Sequence, residues 1–172
     1  QFLTFLKSLP KHTVVILHAI CHNPTGIDPS EEEWQEILDT IRKCDLIPFF
    51  DLAYQGFKDN LKEDASVLRT YIKFEKPFLV ASSFSKNFSL YGERVCALSI
   101  FSCSREESAK IQSHVKNIIR SLYSTPPTYG QKIVEQVLSN EKLYAIWQSE
   151  VNLMRSRIME MRNLLVKAFE ED

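Results

Sequence analysis

Glycine is scarce, with four in 172 residues. No Gly/Ser-rich stretch, low-complexity tract or internal repeat is present, so nothing divides the chain into flexibly linked modules. No run nears the ~18 uninterrupted apolar residues of a membrane-spanning helix. The first residues read as a helix over 1–9, without the charged, apolar and small-residue order of a cleavable leader. A charge excess is missing too: 21 basic and 22 acidic residues leave a net charge of -1. That balance provides neither a basic face for nucleic acid nor a polybasic patch for a membrane surface. The four cysteines, at 21, 44, 96 and 103, show no C-x-x-C pair and no metal-ligand spacing. Reduced thiols in a cytoplasmic protein are therefore expected, with no disulfide framework and no metal. Small molecules are the partners left to expect.

What is present is a core. Hydrophobic residues make up 44% of the chain and aromatics 11%, enough for one globular unit. The run 13–20 is nearly continuously β-branched and apolar, the pattern of a strand buried on both faces of a mainly parallel sheet. Ser30-x-x-Glu33 is a capping box ahead of Trp34, Ile37, Leu38 and Ile41 at helical spacing. A second apolar run at 46–51, a short helix at 66–74 and a third run at 77–82 extend this to βαβαβ. A fourth strand is expected at 94–101, with its direction left open, and a helix capped by Ser104-x-x-Glu107 runs to about 122. Pro126 and Pro127 interrupt the helical pattern. Helix resumes at 129–138, and 141–169 reads as one long amphipathic helix, too long for this sheet alone. It is expected to bridge to another domain or to lie along an interface.

In such a sheet, ligands gather beyond the carboxyl ends of the parallel strands. His22 and Asn23 follow the first run, Asp51 and Tyr54 close the second, and Ser83, Ser85 and Lys86 follow the third. Alone, Lys86 reads as a solvated surface lysine, Asp51 as a strand-end turn cap, Tyr54 as a core tyrosine and Asn23-Pro24-Thr25-Gly26 as a turn. Together they supply an aldehyde-trapping amine, a carboxylate for a cationic ring nitrogen and two hydrogen-bonding groups for a ring oxygen. Ser83, Ser85 and Arg94 add a phosphate cradle with a two-pronged guanidinium. That set points to pyridoxal phosphate chemistry.

The motifs H-N-P-T-G at 22–26, D-x-A-Y-Q-G-F at 51–57, S-F-S-K-N-F at 83–88, L-Y-x-E-R at 90–94 and R-x-x-Y-S-x-P-P at 120–127 resemble the aspartate aminotransferase branch of the class I pyridoxal-phosphate aminotransferases. Their order and spacing agree across most of the chain. The resemblance implies an α/β fold: a three-layer sandwich with a mainly parallel sheet, the large cofactor domain of the type I pyridoxal-phosphate fold, incomplete in this chain. It implies that 1–140 belong to that domain and that 141–172 form the interdomain helix leading to a small domain. It makes Lys86 the Schiff-base lysine, Asp51 the partner of the ring nitrogen, and Asn23 and Tyr54 the groups on the ring oxygen. Ser83, Ser85 and Arg94 surround the phosphate, and His18 and His22 support Asp51. Arg120 takes the distal substrate carboxylate across a homodimer interface, and Asn23 also faces substrate.

Ser89, Gly92, Cys96 and Thr125 depart from the usual pattern, without removing a catalytic group. Family members are about twice as long or more, so the chain is expected to be a central fragment whose ends are cuts. The activity implied is reversible amino transfer between aspartate and 2-oxoglutarate. An aromatic or broad-range aminotransferase, or a lyase on the same scaffold, is the alternative. A non-catalytic fragment that associates through the long helix is an alternative of another class.

Overall fold

The computed structural model describes residues 1–170, so the last two positions of the expected 141–172 segment lie outside the described residues. Helix α1 (Phe2–Ser8) leads into strand β1 (Val14–His18), then helix α2 (Glu31–Lys43) and strand β2 (Ile47–Leu52). A single 3-10 turn (Glu63–Ala65) precedes helix α3 (Ser66–Ile72), followed by strands β3 (Phe78–Ser83) and β4 (Cys96–Phe101). Helices α4 (Arg105–Leu122), α5 (Tyr129–Ser139) and α6 (Glu141–Glu170) complete the chain.

The α2 capping box forms as its sequence dictates. Ser30 Oγ accepts the Glu33 N–H at 3.2 Å while the Glu33 carboxylate accepts the Ser30 N–H at 2.8 Å, which satisfies two orphan donors of the first turn. Three glutamates in that turn and Arg42 and Lys43 in the last complement the helix dipole.

The sheet order is β1-β2-β3-β4, with the first three strands parallel and β4 antiparallel to β3. The reversal follows from the connection 84–95, which contains no helix and turns back at the end of β3, whereas a parallel partner needs a crossover. The core lies on one face, where Val15, Phe50, Phe78 and Val80 meet Leu6, Ile37, Leu38, Ile41, Val67 and Tyr71. Phe50 is its hub, in edge-to-face contact with Tyr71 and Phe78 at centroid distances of 6.0 and 6.1 Å. The opposite face receives α4, whose Ala109 and Gln112 face Leu98 and Ile100 across a shallow cleft.

The expectation that β1 is buried on both faces is not met. Val14 is 51% and Ile16 67% exposed, because β1 is an edge strand and α1, α2 and α3 all pack against the other face. Helix α6 is anchored through its first half, where Val151 is fully buried. Leu153, Ile158, Leu164 and Phe169 farther along are exposed.

Candidate functional site

Parallel pairing aligns the ends of β1, β2 and β3. His18 stands opposite Asp51, Asp51 opposite Ala81, and Ser83 opposite Cys96 at the start of β4. Alternation along each strand puts His18, Asp51 and Ser83 on the same face, the one away from the core. Because β4 returns antiparallel, the loop between β3 and β4 begins and ends at this edge, and brings Lys86 and Arg94 to it together.

Lys86 is half-buried, and its Nζ stands 4.6 Å from the centroid of the Tyr54 ring, over its face. The Tyr54 hydroxyl in turn accepts the Asn23 side-chain amide at 3.4 Å. Three loops from three strand ends thus converge through Lys86, Tyr54 and Asn23. Half-buried Asp51 joins no ion pair among the described residues, which leaves its carboxylate without a cationic protein partner. Ser85 is buried, and its N–H donates to Ser83 Oγ at 3.2 Å, so the two serines curl into one small turn. Arg94, at φ 54°, donates from its guanidinium to the Tyr91 carbonyl at 3.0 Å.

His18 and His22 lie with ring centroids 4.8 Å apart. His18 Nδ1 accepts the Asn23 N–H at 3.2 Å, and His22 Nδ1 is 2.7 Å from Thr25 Oγ1. Among the described residues, the hydrogen bonds these histidine rings make go to the 22–26 turn. Arg120 is exposed in the last turn of α4 and makes no ion pair among the described residues. The segment after it does reach the site: Tyr123, Thr125, Pro126 and Pro127 share a cleft of about 930 Å³ with Phe84 and Arg94.

Several supporting residues have no role assigned by the sequence pattern. Asp64, 1% exposed, accepts the backbone N–H groups of Gly56, Lys58 and Asp59 at 2.7, 3.2 and 2.8 Å, and so moulds the loop after Tyr54. Asp28 accepts the N–H groups of Cys21 and His22 at 2.8 and 2.9 Å and pairs with Lys58 at 3.5 Å. Burial alone would raise the Asp28 carboxyl, but the His22 and Cys21 N–H groups and the Lys58 ammonium outweigh it and hold it below the ordinary value. Burial, followed by the Asp28 and Asp64 carboxylates, pushes the Cys21 thiol up to about 11, so it is no nucleophile at neutral pH. Asn87 ties the lysine loop to the tyrosine loop, donating to the Gln55 carbonyl at 3.2 Å.

Comparison with known proteins identifies the family. The family model for aminotransferase class I and II matches residues 1–172. The chain is 48% identical to an aspartate aminotransferase of Pseudomonas aeruginosa, over 94% of this chain and 41% of that protein. It is 43% identical to an aromatic-amino-acid aminotransferase of Escherichia coli, over 100% of this chain and 43% of that one. Among solved structures, the aromatic-amino-acid aminotransferase of Burkholderia pseudomallei, covalently bound to pyridoxal phosphate, superposes with a TM-score of 0.96 at 44% identity, covering 98% of this chain and 42% of that one. A mitochondrial aspartate aminotransferase of Trypanosoma brucei gives 0.94 at 41% identity, covering 98% and 45%. The chain spans about two fifths of the length of these relatives.

Proposed function

The chain belongs to the class I and II aminotransferases, and from that premise we propose that it carries the cofactor-attaching half of an aspartate aminotransferase. The protein exchanges an amino group between aspartate and 2-oxoglutarate in two half-reactions on pyridoxal phosphate. One observation carries the proposal: Lys86 Nζ sits 4.6 Å from the centroid of the Tyr54 ring at the carboxyl edge of the sheet, with Asn23 bonded to the Tyr54 hydroxyl and Asp51 nearby on β2.

The donor set fits the cofactor. Lys86 offers the amine that its aldehyde needs, and Asp51, in no ion pair among the described residues, offers the carboxylate for a protonated ring nitrogen. The Tyr54 hydroxyl and Asn23 amide suit the ring oxygen, while Ser83, Ser85 and Arg94 suit the phosphate. When bound, the cofactor supplies an electron-withdrawing ring that lets the Cα of an amino acid give up its proton. Lys86 would take that proton from Cα as general base and return it as general acid. Asp51 keeps the ring nitrogen charged during the transfer. Arg120 binds the distal carboxylate of a dicarboxylic substrate from the partner of a homodimer, a role supported by its exposure and by its short distance in sequence from the 123–127 segment beside Arg94.

Residues 1–140 form part of the large domain in this reading, and the segment from 141 is the helix leading to a small domain, supported by the exposed apolar residues of its second half. The four free cysteines support a reducing, cytoplasmic setting. A second reading, transfer from aromatic amino acids, draws on the relatives that bear that name.

The test is one half-reaction on the intact protein. Loaded with pyridoxal phosphate and given aspartate without a keto acid, wild type converts the cofactor spectrum to its amino form and Lys86→Ala does not. Response to tyrosine but not aspartate moves the reading to aromatic donors. Absence of covalent attachment at Lys86 overturns the enzyme reading.

A further inference from the structure

Helix α6 touches both loops that set the spacing of Lys86 and Tyr54, and it does so with two residues one turn apart. The Trp147 Nε1–H donates to the Asn87 carbonyl at 2.7 Å, on the residue directly after Lys86. Its indole stacks on Phe88, with ring centroids 4.5 Å apart and planes 30° from parallel. Val151, fully buried, packs against Gly56 so closely that a Cβ there would stand 2.5 Å from Val151 Cγ1. Gly56 follows Gln55, whose carbonyl accepts the Asn87 side-chain amide at 3.2 Å.

These contacts close a ring. Lys86 Nζ lies over Tyr54, Tyr54 leads through Gln55 to the Asn87 side chain, and Asn87 adjoins Lys86. The helix grips the ring at Asn87 through Trp147 and at Gly56 through Val151. Asn87 is 4% exposed, and its Oδ1 has no hydrogen-bond partner among the described residues. Its side chain is held by the bond to Gln55, and the indole supplies the second fixed point on this residue.

We propose that Trp147 is a positioning residue for Lys86. Lysine has a flexible four-carbon stem, and its amine is held in reach of a reacting atom only if the peptide it springs from is fixed. By holding the Asn87 carbonyl, Trp147 fixes that peptide against α6 and keeps the amine over the Tyr54 ring. The inference rests on the reading of Lys86 as the cofactor-attaching amine.

Trp147→Phe in the intact protein keeps a ring on Phe88 and deletes the N–H. The measurements are the rate at which cofactor-free protein captures pyridoxal phosphate, followed by absorbance, together with kcat and KM for aspartate. The loss of one ordinary hydrogen bond predicts capture and kcat slower by about three- to tenfold with KM unchanged. Capture and kcat equal to wild type overturn the proposal. Should the phenylalanine variant fail to fold, 3-benzothienylalanine at position 147, which replaces N–H by sulfur in the same outline, is read against the same two outcomes. If wild type captures no cofactor, the functional reading falls. The anchoring is then decided by exchange of the Ser89 amide, which donates to the Lys86 carbonyl at 3.0 Å. Faster exchange in the variant sustains it, and equal exchange overturns it.

Discussion

The Asp64 carboxylate accepts the Gly56 N–H at 2.7 Å, and through that bond a residue outside the site holds the loop that begins at Tyr54. It is a buried charge with three backbone donors around it, the arrangement in which a carboxylate stabilises a loop instead of burdening it.

Asp64→Ala leaves three N–H groups without an acceptor and is expected to cost about 3–5 kcal/mol. Asp64→Asn keeps one acceptor and costs less. Urea denaturation of the intact protein, read as a shift in midpoint at constant slope, checks the order.

Gly56→Ala meets three obstacles: the left-handed backbone at φ 99°, the Val151 methyl 2.5 Å from the new Cβ, and Leu61 Cδ2 at 3.0 Å. The expected loss is about 2–4 kcal/mol. Adding Val151→Ala relieves only the Val151 contact, so a double-mutant cycle finds coupling of opposite sign to the single effects, with the backbone and Leu61 parts remaining.

Ser89 holds φ 55° with its side chain exposed. Ser89→Gly removes the Cβ that disfavours this conformation and keeps the amide bond to Lys86, for an expected gain of about 0.5 kcal/mol once the freedom of glycine in the unfolded chain is counted. A rise in thermal midpoint with unchanged spectrum of the loaded protein checks it.

Cys21 is expected to react with iodoacetamide far more slowly than the exposed Cys96 and Cys103 at pH 8, as mapped by mass spectrometry of the labelled peptides. The stability consequence has a definite sign. The unfolded thiol ionises near its ordinary 9.0, while the folded one holds its proton to about 11. The unfolded state therefore binds fewer protons in that window, and stability falls as pH rises through it. Tyr71, pushed up to about 12 chiefly by burial, extends the same decline. Melting midpoints taken from pH 8 to 11 should drop, and Cys21→Ala should flatten the first part of the drop.

Much of this was legible because it is written in local pattern. The Ser30 and Glu33 box, the apolar runs that become β1, β2 and β3, and the placement of Asn23, Tyr54 and Lys86 after strand ends all follow from residue type and period. Resemblance added the grouping. The sequence leaves the direction of β4 open, although the connection 84–95 is too poor in helical pattern for a crossover. The exposure of Ile16 was hidden because an apolar run carries no record of which face a helix covers. Asp64, Asn87 and Trp147 act through contacts far apart in sequence. In the sequence Trp147 is one more apolar position of the amphipathic helix, and nothing periodic distinguishes an indole that donates a hydrogen bond from one that only packs.

The reversal of β4 gives the site an unequal construction. Lys86, both serines and Arg94 lie on one unbroken stretch, 78–101, whose two strands pair with each other. That portion needs only a hairpin to close. Asn23, Asp51 and Tyr54 instead depend on crossovers and on β2 meeting β3. The lysine and the arginine are thus neighbours through local chain folding, whereas the lysine and the tyrosine become neighbours only through the pairing of β2 with β3.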